Sequence, residues 1–553
     1  MSDDEPQHTS GAPAAAVPGW IEVRRGTAPL LLFAPHGGRR TLPRRPGRDN
    51  VNDLHTADLT REIGIACDAT WIVNETRDRN ELDLNRTQQV RERAPWLLDL
   101  LATTLEDMVA AHGGATLLAV HGWNVVQSVC DLGVGLIEEN GACRPAGRGH
   151  PTVSAAFLEQ RLRLLQRCAF ARDALVTIGA RYPAAHPSNV MQLLTARHAD
   201  ATDPQLRRLA ALAERVEAVQ LELGIPLRWR GPRRAAFAAT LVEVLTARIH
   251  TSEASTVAVG ELACGGKPTT RVGIQAASDP IAVFGGIDVG PAGATAGRLL
   301  ITDAADRLAL FTGELVERDG QSLHVPALRI ESGDGHVFDV RFTGPMLAFP
   351  ALTPFTDLER GLAAGELVDA DVHLHFTPTA PLADLIPGAA RFGSVNGTVR
   401  LDGADYRIDV RGAASEGVPP SASRPNVHLI LPGTGRGDLD MRSRAAIDVV
   451  GDPSRPFAAE FRFEVDGVAW KETQSTPVHG VADVRLGAAT LRVRVDGDDG
   501  TTRTVDATLE RPIPVRRPGA GGSVVETVYA LCRIGAAPLG WLELTVERGV
   551  DDG

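Results

Sequence analysis

Polar side chains gather where the apolar runs of this chain end. His36 follows LLLFAP, His121 follows ATLLAV, and NDLHTAD (52–58) between them carries Asp53, His55 and Asp58. A histidine at the end of a buried strand offers one ring nitrogen to a cation and the other to an acceptor behind it. Two such histidines and a third side chain make the set that a catalytic zinc takes, with ligands at about 2.1 Å and one position left open for water. Glu222 lies in VQLEL among apolar neighbours. An acid is costly to bury there without a partner, and one so placed suits a general base. NETRDRNELDLNR (74–86) is dense in charge directly after an apolar run. Its Asn85 and Arg86 stand side by side, and a guanidinium fork matches the two oxygens of a carboxylate. Arg77 and Arg79 either assist them or neutralise Glu75 and Glu81.

Plainer readings stand beside these. Asp53 also suits the N-cap of a helix starting near Thr56. Glu222 also suits the surface of an edge strand, and Arg86 an ion pair with Asp83. ARYPAAHPSNVMQLLTARH (180–198) is loop-like: it either walls a substrate pocket through Arg181, His186 or Arg197, or is simply solvated. FGGIDVGPAGATAG (284–297) lacks the Lys-Ser/Thr ending of a phosphate loop and reads as turns. DVHLHF puts His373 and His375 on one face of a strand, a second conceivable metal pair. No Gly-x-Ser-x-Gly elbow supports a serine hydrolase.

The elements that must position these residues follow from periodicity. LLLFAPHGG (30–38), WIVNET (71–76), ATLLAVHGW (115–123) and VEAVQLELG (216–224) read as buried strands. TADLTREIGIA (56–66), WLLDLLATTLEDMVAAHGG (96–114), AAFLEQRLRLLQRCAFAR (155–172), DPQLRRLAALAERV (203–216) and RRAAFAATLVEVLTARIH (233–250) read as helices. The alternation predicts an α/β domain with a mostly parallel sheet, whose sites lie beyond the carboxyl ends of its strands. After about residue 251 the pattern changes to alternating runs such as VFDVRFTG (337–344) and AATLRVRVDGDD (488–499), separated by Gly, Asp and Pro clusters. That predicts an all-β barrel or sandwich.

Chain length and composition bound the rest. At 553 residues the chain is too long for one core. Hydrophobic content of 43% and charged content of 23% are those of an ordinary globular protein, and a net charge of −12 argues against nucleic acid as a partner. The six cysteines are scattered without a CxxC pair, which fits a reducing, cytoplasmic setting. No apolar run reaches the roughly 18 residues of a membrane span. The expected division is a disordered leader (1–17), an α/β domain (18–252) and a β-rich region (253–553) with two candidate lobes at about 253–412 and 425–550.

In order along the chain, APHGG, DLH, ELDLNR, VHGW and VQLEL resemble the N-formylglutamate amidohydrolase family and, more distantly, the zinc carboxypeptidases. The likeness covers roughly residues 20–250 and implies a zinc carboxypeptidase-like fold. It also implies one Zn2+ ion, with His36 and His121 as ligands and Glu222 as the base that activates water. By the same likeness, Asn85 and Arg86 bind a substrate carboxylate, and Arg79 matches a basic residue just upstream of them. Carboxypeptidases place a glutamate ligand three residues after the first histidine, where this chain has Arg39. The third ligand is then Asp53, with His55 as competitor. In the second half, NGTVRLDGADYRIDVRGAASEG (396–417) and GWLELTVERG (540–549) resemble two-lobed, lipocalin-like β domains related to carotenoid hydratases. The resulting expectation is a metal-dependent hydrolase of amide bonds in an acidic or N-acylated small molecule, with no membrane partner. The alternatives are a degenerate hydrolase that only binds its ligand, or an activity on an apolar molecule residing in the β half.

Overall fold

The computed structural model describes residues 17–39, 50–139 and 141–246 and, beyond them, the helix Leu358–Ala363 and the strands between 262 and 548 with some of their connections. The expected leader and the border near 251–256 lie outside the described residues.

A seven-stranded mixed sheet organises the first half. Its early strands are β1 (Ile21–Arg24), β2 (Leu30–Ala34) and β3 (Thr70–Asn74). Next come β4 (Ala115–Gly122), β5 (Val129–Gly133) and a side hairpin of β6 (Leu136–Glu139) with β7 (Ala142–Pro145). The last two are β8 (Leu175–Ile178) and β9 (Val216–Leu223). The sheet order is β1-β3-β2-β4-β9-β5-β8. The pairs β2–β3, β2–β4, β4–β9 and β5–β8 run parallel, while β1–β3 and β5–β9 run antiparallel. The four strands expected from apolar runs are present, and β1, β5 and β8 add to them.

Strand alternation sorts the side chains onto two faces. Leu32, Leu118, Val120, Val219 and Leu221 pack on one face with Ile63 of helix α1 (Thr56–Cys67) and with Phe237 and Leu241 of the helix Pro232–Thr246. Leu31, Phe33, Leu117, Ala119 and Ala218 pack on the other face with Leu97, Leu101 and Leu105 of the helix Pro95–His112. On this second face the apolar series stops short of the strand ends. Continuing the alternation past Ala119 and Ala218 gives His121, Gln220 and Glu222, and the register sets His121 opposite Glu222. A site therefore forms on this face, beyond the carboxyl ends of the strands.

In the second half, nine of the described strands between Thr270 and Gly417 form one antiparallel sheet, while Leu315–Asp319 and Ser322–His324 join Leu262–Cys264 in a separate three-stranded sheet. Leu308–Gly313 pairs with both Gly293–Thr302 and Phe338–Phe349, which rolls the sheet into a nearly closed barrel. FGGIDVGPAGATAG is thereby a strand hairpin, Ala282–Gly290 with Gly293–Thr302. Ala370, Val372, Leu374 and Phe376 point into an apolar core shared with Phe311, Phe338 and Phe342. His373 and His375 alternate outward, and His375 Nδ1 lies 2.9 Å from Asp339. A further eight-stranded sheet takes the strands from Asn426 to Arg548. The barrel packs on the α/β half: Leu54, Val126, Ile225 and Trp229 join the barrel's core cluster, and Gln127 exchanges hydrogen bonds with the backbone of Leu315.

Candidate functional site

The turn that carries His36 depends on two close backbone approaches. A Cβ at Gly38 would stand 1.9 Å from the carbonyl oxygen of Arg77, so only glycine lets the turn lie against that loop. The Asn74 side chain, at the end of β3, donates to the carbonyls of Pro35 and Arg77 at 2.8 and 2.9 Å and accepts from the Arg77 amide. The next segment returns to the same place, where the Asp53 amide donates to the carbonyl oxygen of His36 at 2.9 Å.

These contacts bring His36, Asp53 and His121 together, and all three are buried. Among the described residues they are the one cluster able to hold a metal ion. Nδ1 of His36 and Nδ1 of His121 lie 3.2 and 3.3 Å from the same oxygen, Asp53 Oδ2. Ligand atoms placed tetrahedrally at about 2.0–2.1 Å from an ion stand about 3.3 Å from one another, so the two spacings to Asp53 suit an ion of that size, and all three ligand atoms lie within 4.8 Å of one another. On its far side His36 Nε2 meets Asp83 Oδ1 at 2.7 Å, the carboxylate support that metal-binding histidines use. His121 Nε2 is buried without a hydrogen-bond partner.

His55 is not in this cluster. Its ring stands edge-on to Trp229 at 4.6 Å, and its Nδ1 lies 3.8 Å from Asp58. It takes a left-handed conformation (φ 68°) at the start of α1. The Asp53 side chain does not cap that helix; its backbone carbonyl accepts from the Thr56 amide and hydroxyl.

Charges around the cluster are strongly coupled. Burial opposes ionisation of Asp53, yet Arg79 at 3.0 Å and the two histidines hold its carboxyl well below the usual range. Burial and Arg79 oppose a charge on His36, and Asp83 with Asp53 outweigh them, raising its pKa. Burial takes His121 down to about 4. Asp83 is lowered, with His36 and Arg79 overcoming its desolvation. Glu222 moves the other way: burial and the neighbouring charge of Asp53 push its carboxyl well above the usual range. It lies on β9 between β4 and β5, an interior strand and not an edge. Gln220, two residues earlier on the same face, donates from Nε2 to Glu222 Oε1 at 2.8 Å.

The proposed carboxylate clamp divides. Asn85 reaches the site, donating to Gln220 Oε1 at 3.3 Å, and its own Oδ1 is buried without a partner. Asn189 donates to the same Gln220 oxygen at 2.9 Å. The Arg86 side chain is half exposed, with Nε 3.7 Å from Asp83 and a guanidinium nitrogen 3.4 Å from Ser188 Oγ. Arg77 pairs with Glu81 at 2.8 Å. Arg39 turns onto the carbonyls of Gly37 and Gly38. Arg181 lies 3.6 Å from Glu314 of the barrel half, His186 bonds Ser188, and Arg197 bonds the Arg148 carbonyl.

Several supporting residues escaped the sequence reading. Asp131, opposite Glu222 in register, is fully buried and accepts from Thr177 and from the amides of Ala180, Arg181 and Tyr182. Arg228 is also fully buried, and burial lowers its pKa to about 10. It donates to the carbonyls of Leu54, Leu223 and Trp123 at 2.7, 3.1 and 3.4 Å. One guanidinium thus ties together three segments that carry Asp53, Glu222 and His121. Asp131 in the middle of a five-residue strand and Arg228 in a single helical turn leave no periodic trace in the sequence.

No protein-family model matches the sequence, and no curated protein is significantly similar to it. Among solved structures the chain is similar to an N-formylglutamate amidohydrolase from Ralstonia eutropha JMP134, at 14% identity and a TM-score of 0.27, over 40% of this chain and 94% of that one. It is also similar to a kievitone hydratase from Nectria haematococca, at 7% identity and a TM-score of 0.27, over 51% of this chain and 88% of that one. A third similarity is to a putative AttH from Nitrosomonas europaea, at 11% identity and a TM-score of 0.29, over 50% of this chain and 92% of that one. These are weak likenesses of parts of the fold, so the chemistry has to be read from the side chains.

Proposed function

We propose that the α/β half is a zinc carboxypeptidase-like amidohydrolase that cleaves an N-formyl, N-acyl or peptide bond in a carboxylate-bearing small molecule. The observation that carries this reading is the convergence of two histidine Nδ1 atoms on one Asp53 oxygen at 3.2 and 3.3 Å, with Glu222 beside His121 in register. His36, Asp53 and His121 are the ligand set. One Zn2+ ion held there supplies a Lewis acid that polarises the scissile carbonyl and acidifies water. Glu222 takes a proton from the attacking water and returns it to the departing nitrogen as the C–N bond breaks. Its raised pKa brings the carboxylate nearer the neutral range in which a base and its conjugate acid both work. Gln220 holds one carboxylate oxygen of Glu222, leaving the other for water. Asn85 from within the site and Arg86 from its half-exposed position receive the substrate carboxylate, and Arg79 holds Asp53 ionised.

The test is metal content together with hydrolysis of N-formyl and N-acyl acidic amino acids, for wild type and Glu222→Gln. The expected result is one zinc per chain in both proteins and a loss of turnover of about 10²–10⁴-fold in the variant. Unchanged turnover in Glu222→Gln would remove the base. Sub-stoichiometric zinc that titration cannot restore would support a ligand-binding protein instead.

A further inference from the structure

We propose that the barrel half is a working part of the metal centre, with Glu359 as a positioning residue for Asp53. The proposal rests on the metal-site reading above and gives the second half a task within it.

Asp53 lies between two residues that the barrel holds. On one side, Asn52 is fully buried and directs both its amide N–H and its Nδ2 at Glu359 Oε2, at 3.0 and 2.9 Å. On the other side, Leu54 is buried in the barrel's apolar cluster, and Val51 packs against the same cluster. Glu359 stands on the helix Leu358–Ala363 and is itself buried. Asn52 carries the restraint onward: Nδ2 also donates to Asp78 Oδ1 at 3.2 Å, and Oδ1 accepts the Arg79 amide at 3.0 Å. The Arg79 guanidinium then holds Asp53 Oδ1 at 3.0 Å. Asp53 is therefore fixed by Glu359 along two routes, through the chain from Asn52 and through Arg79.

The physical need is specific to this sequence. A ligand on a helix or strand inherits the rigidity of that element, but Asp53 comes from the irregular segment before α1. Such a segment holds a ligand to a fraction of an ångström only if its neighbours are locked by packing and hydrogen bonds. A buried carboxylate accepting two N–H groups from one residue is a strong lock of that kind.

The experiment uses the full chain with Glu359→Ala, Glu359→Gln and Asp369→Ala. The last removes a separate contact between the halves, the ion pair of Asp369 with Arg233 at 2.7 Å on a well-exposed carboxylate. Zinc affinity is measured by competition with a chromophoric chelator, and exchange of the Asn52 and Arg79 amides is followed in the zinc-free protein. Glu359→Ala is expected to weaken zinc binding about 10–100-fold, as loss of a ligand's supporting contact does, and to speed exchange of both amides. Glu359→Gln keeps one acceptor oxygen and is expected to retain most of the affinity, and Asp369→Ala all of it. Unchanged amide exchange in Glu359→Ala overturns the proposal, as does wild-type zinc affinity in that variant. Equal losses in Asp369→Ala overturn it too, by making the effect one of general stability. If wild type binds no zinc while the Glu359→Ala amides exchange faster, the metal reading fails and the clamp on the segment stands.

Discussion

Asp131→Asn tests whether the turn beside the site is built on one buried carboxylate. Oδ1 of Asp131 accepts from Thr177 Oγ1 at 2.7 Å and the Ala180 amide at 3.0 Å, and Oδ2 accepts from the Arg181 and Tyr182 amides at 2.8 and 2.6 Å. Asparagine must turn an NH2 toward one of these pairs. The cheaper choice is the Oδ1 side, because the Thr177 hydroxyl can rotate to accept while only the Ala180 N–H is orphaned. One orphaned buried donor costs about 1–3 kcal/mol, and the two amides left on a neutral oxygen lose roughly half the strength of their charge-assisted bonds. Relief of a buried charge offsets part of this, leaving about 2–4 kcal/mol. For a domain of this size that is a midpoint drop of roughly 5–15 °C. Five of the seven tryptophans lie between residues 20 and 229, so tryptophan fluorescence of the full chain follows this half during heating. Exchange of the Tyr182 amide is expected to accelerate in parallel. A midpoint within about 1 °C of wild type, or a Thr177→Val variant that costs more than Asp131→Asn, would refute the reasoning.

Gly38→Ala is expected to disrupt the His36 turn, since the new Cβ meets the Arg77 carbonyl at 1.9 Å, with zinc binding lost before global unfolding. Isothermal titration with zinc checks it. Asn85→Ala is expected to raise KM for carboxylate-bearing substrates about tenfold with a smaller change in kcat, because the lost contact is made equally in ground and transition states. In the metal-free protein His121 has a folded pKa of about 4 against an unfolded value near 6.5, so its neutral form is favoured by the fold. That contribution is fully present above pH 6.5 and is lost as the pH falls toward about 4, up to roughly 3 kcal/mol. Urea midpoints across that range should fall with pH, and bound zinc should steepen the fall, because a metal-bound histidine takes no proton while the unfolded one still does. His36, with its raised pKa, acts in the opposite sense, contributing stability at low pH that is lost as the pH rises through its folded value.

Much of the α/β half was legible because its elements are written locally. Apolar runs of strand length, helices with a three-to-four residue period, and His36 and His121 at run ends all show within a window of a dozen residues. The strand Val129–Gly133 did not show, being five residues long with an aspartate in its middle. Its place beside β9, and with it the opposition of Asp131 to Glu222, depends on a pairing between residues some ninety positions apart. The same holds for the site. The sequence by itself determined which residue types are available and in what order they come. Only the tertiary structure brings Asp53, and not His55, beside the two histidines, because both sit in one short segment and their side chains face different ways. It placed Asp83 against His36 as well as near Arg86, and made VQLEL an interior strand where an acid is desolvated instead of exposed. Burial, charge coupling and the hold of Glu359 on Asn52 arise between distant parts of the chain, and no local pattern encodes them.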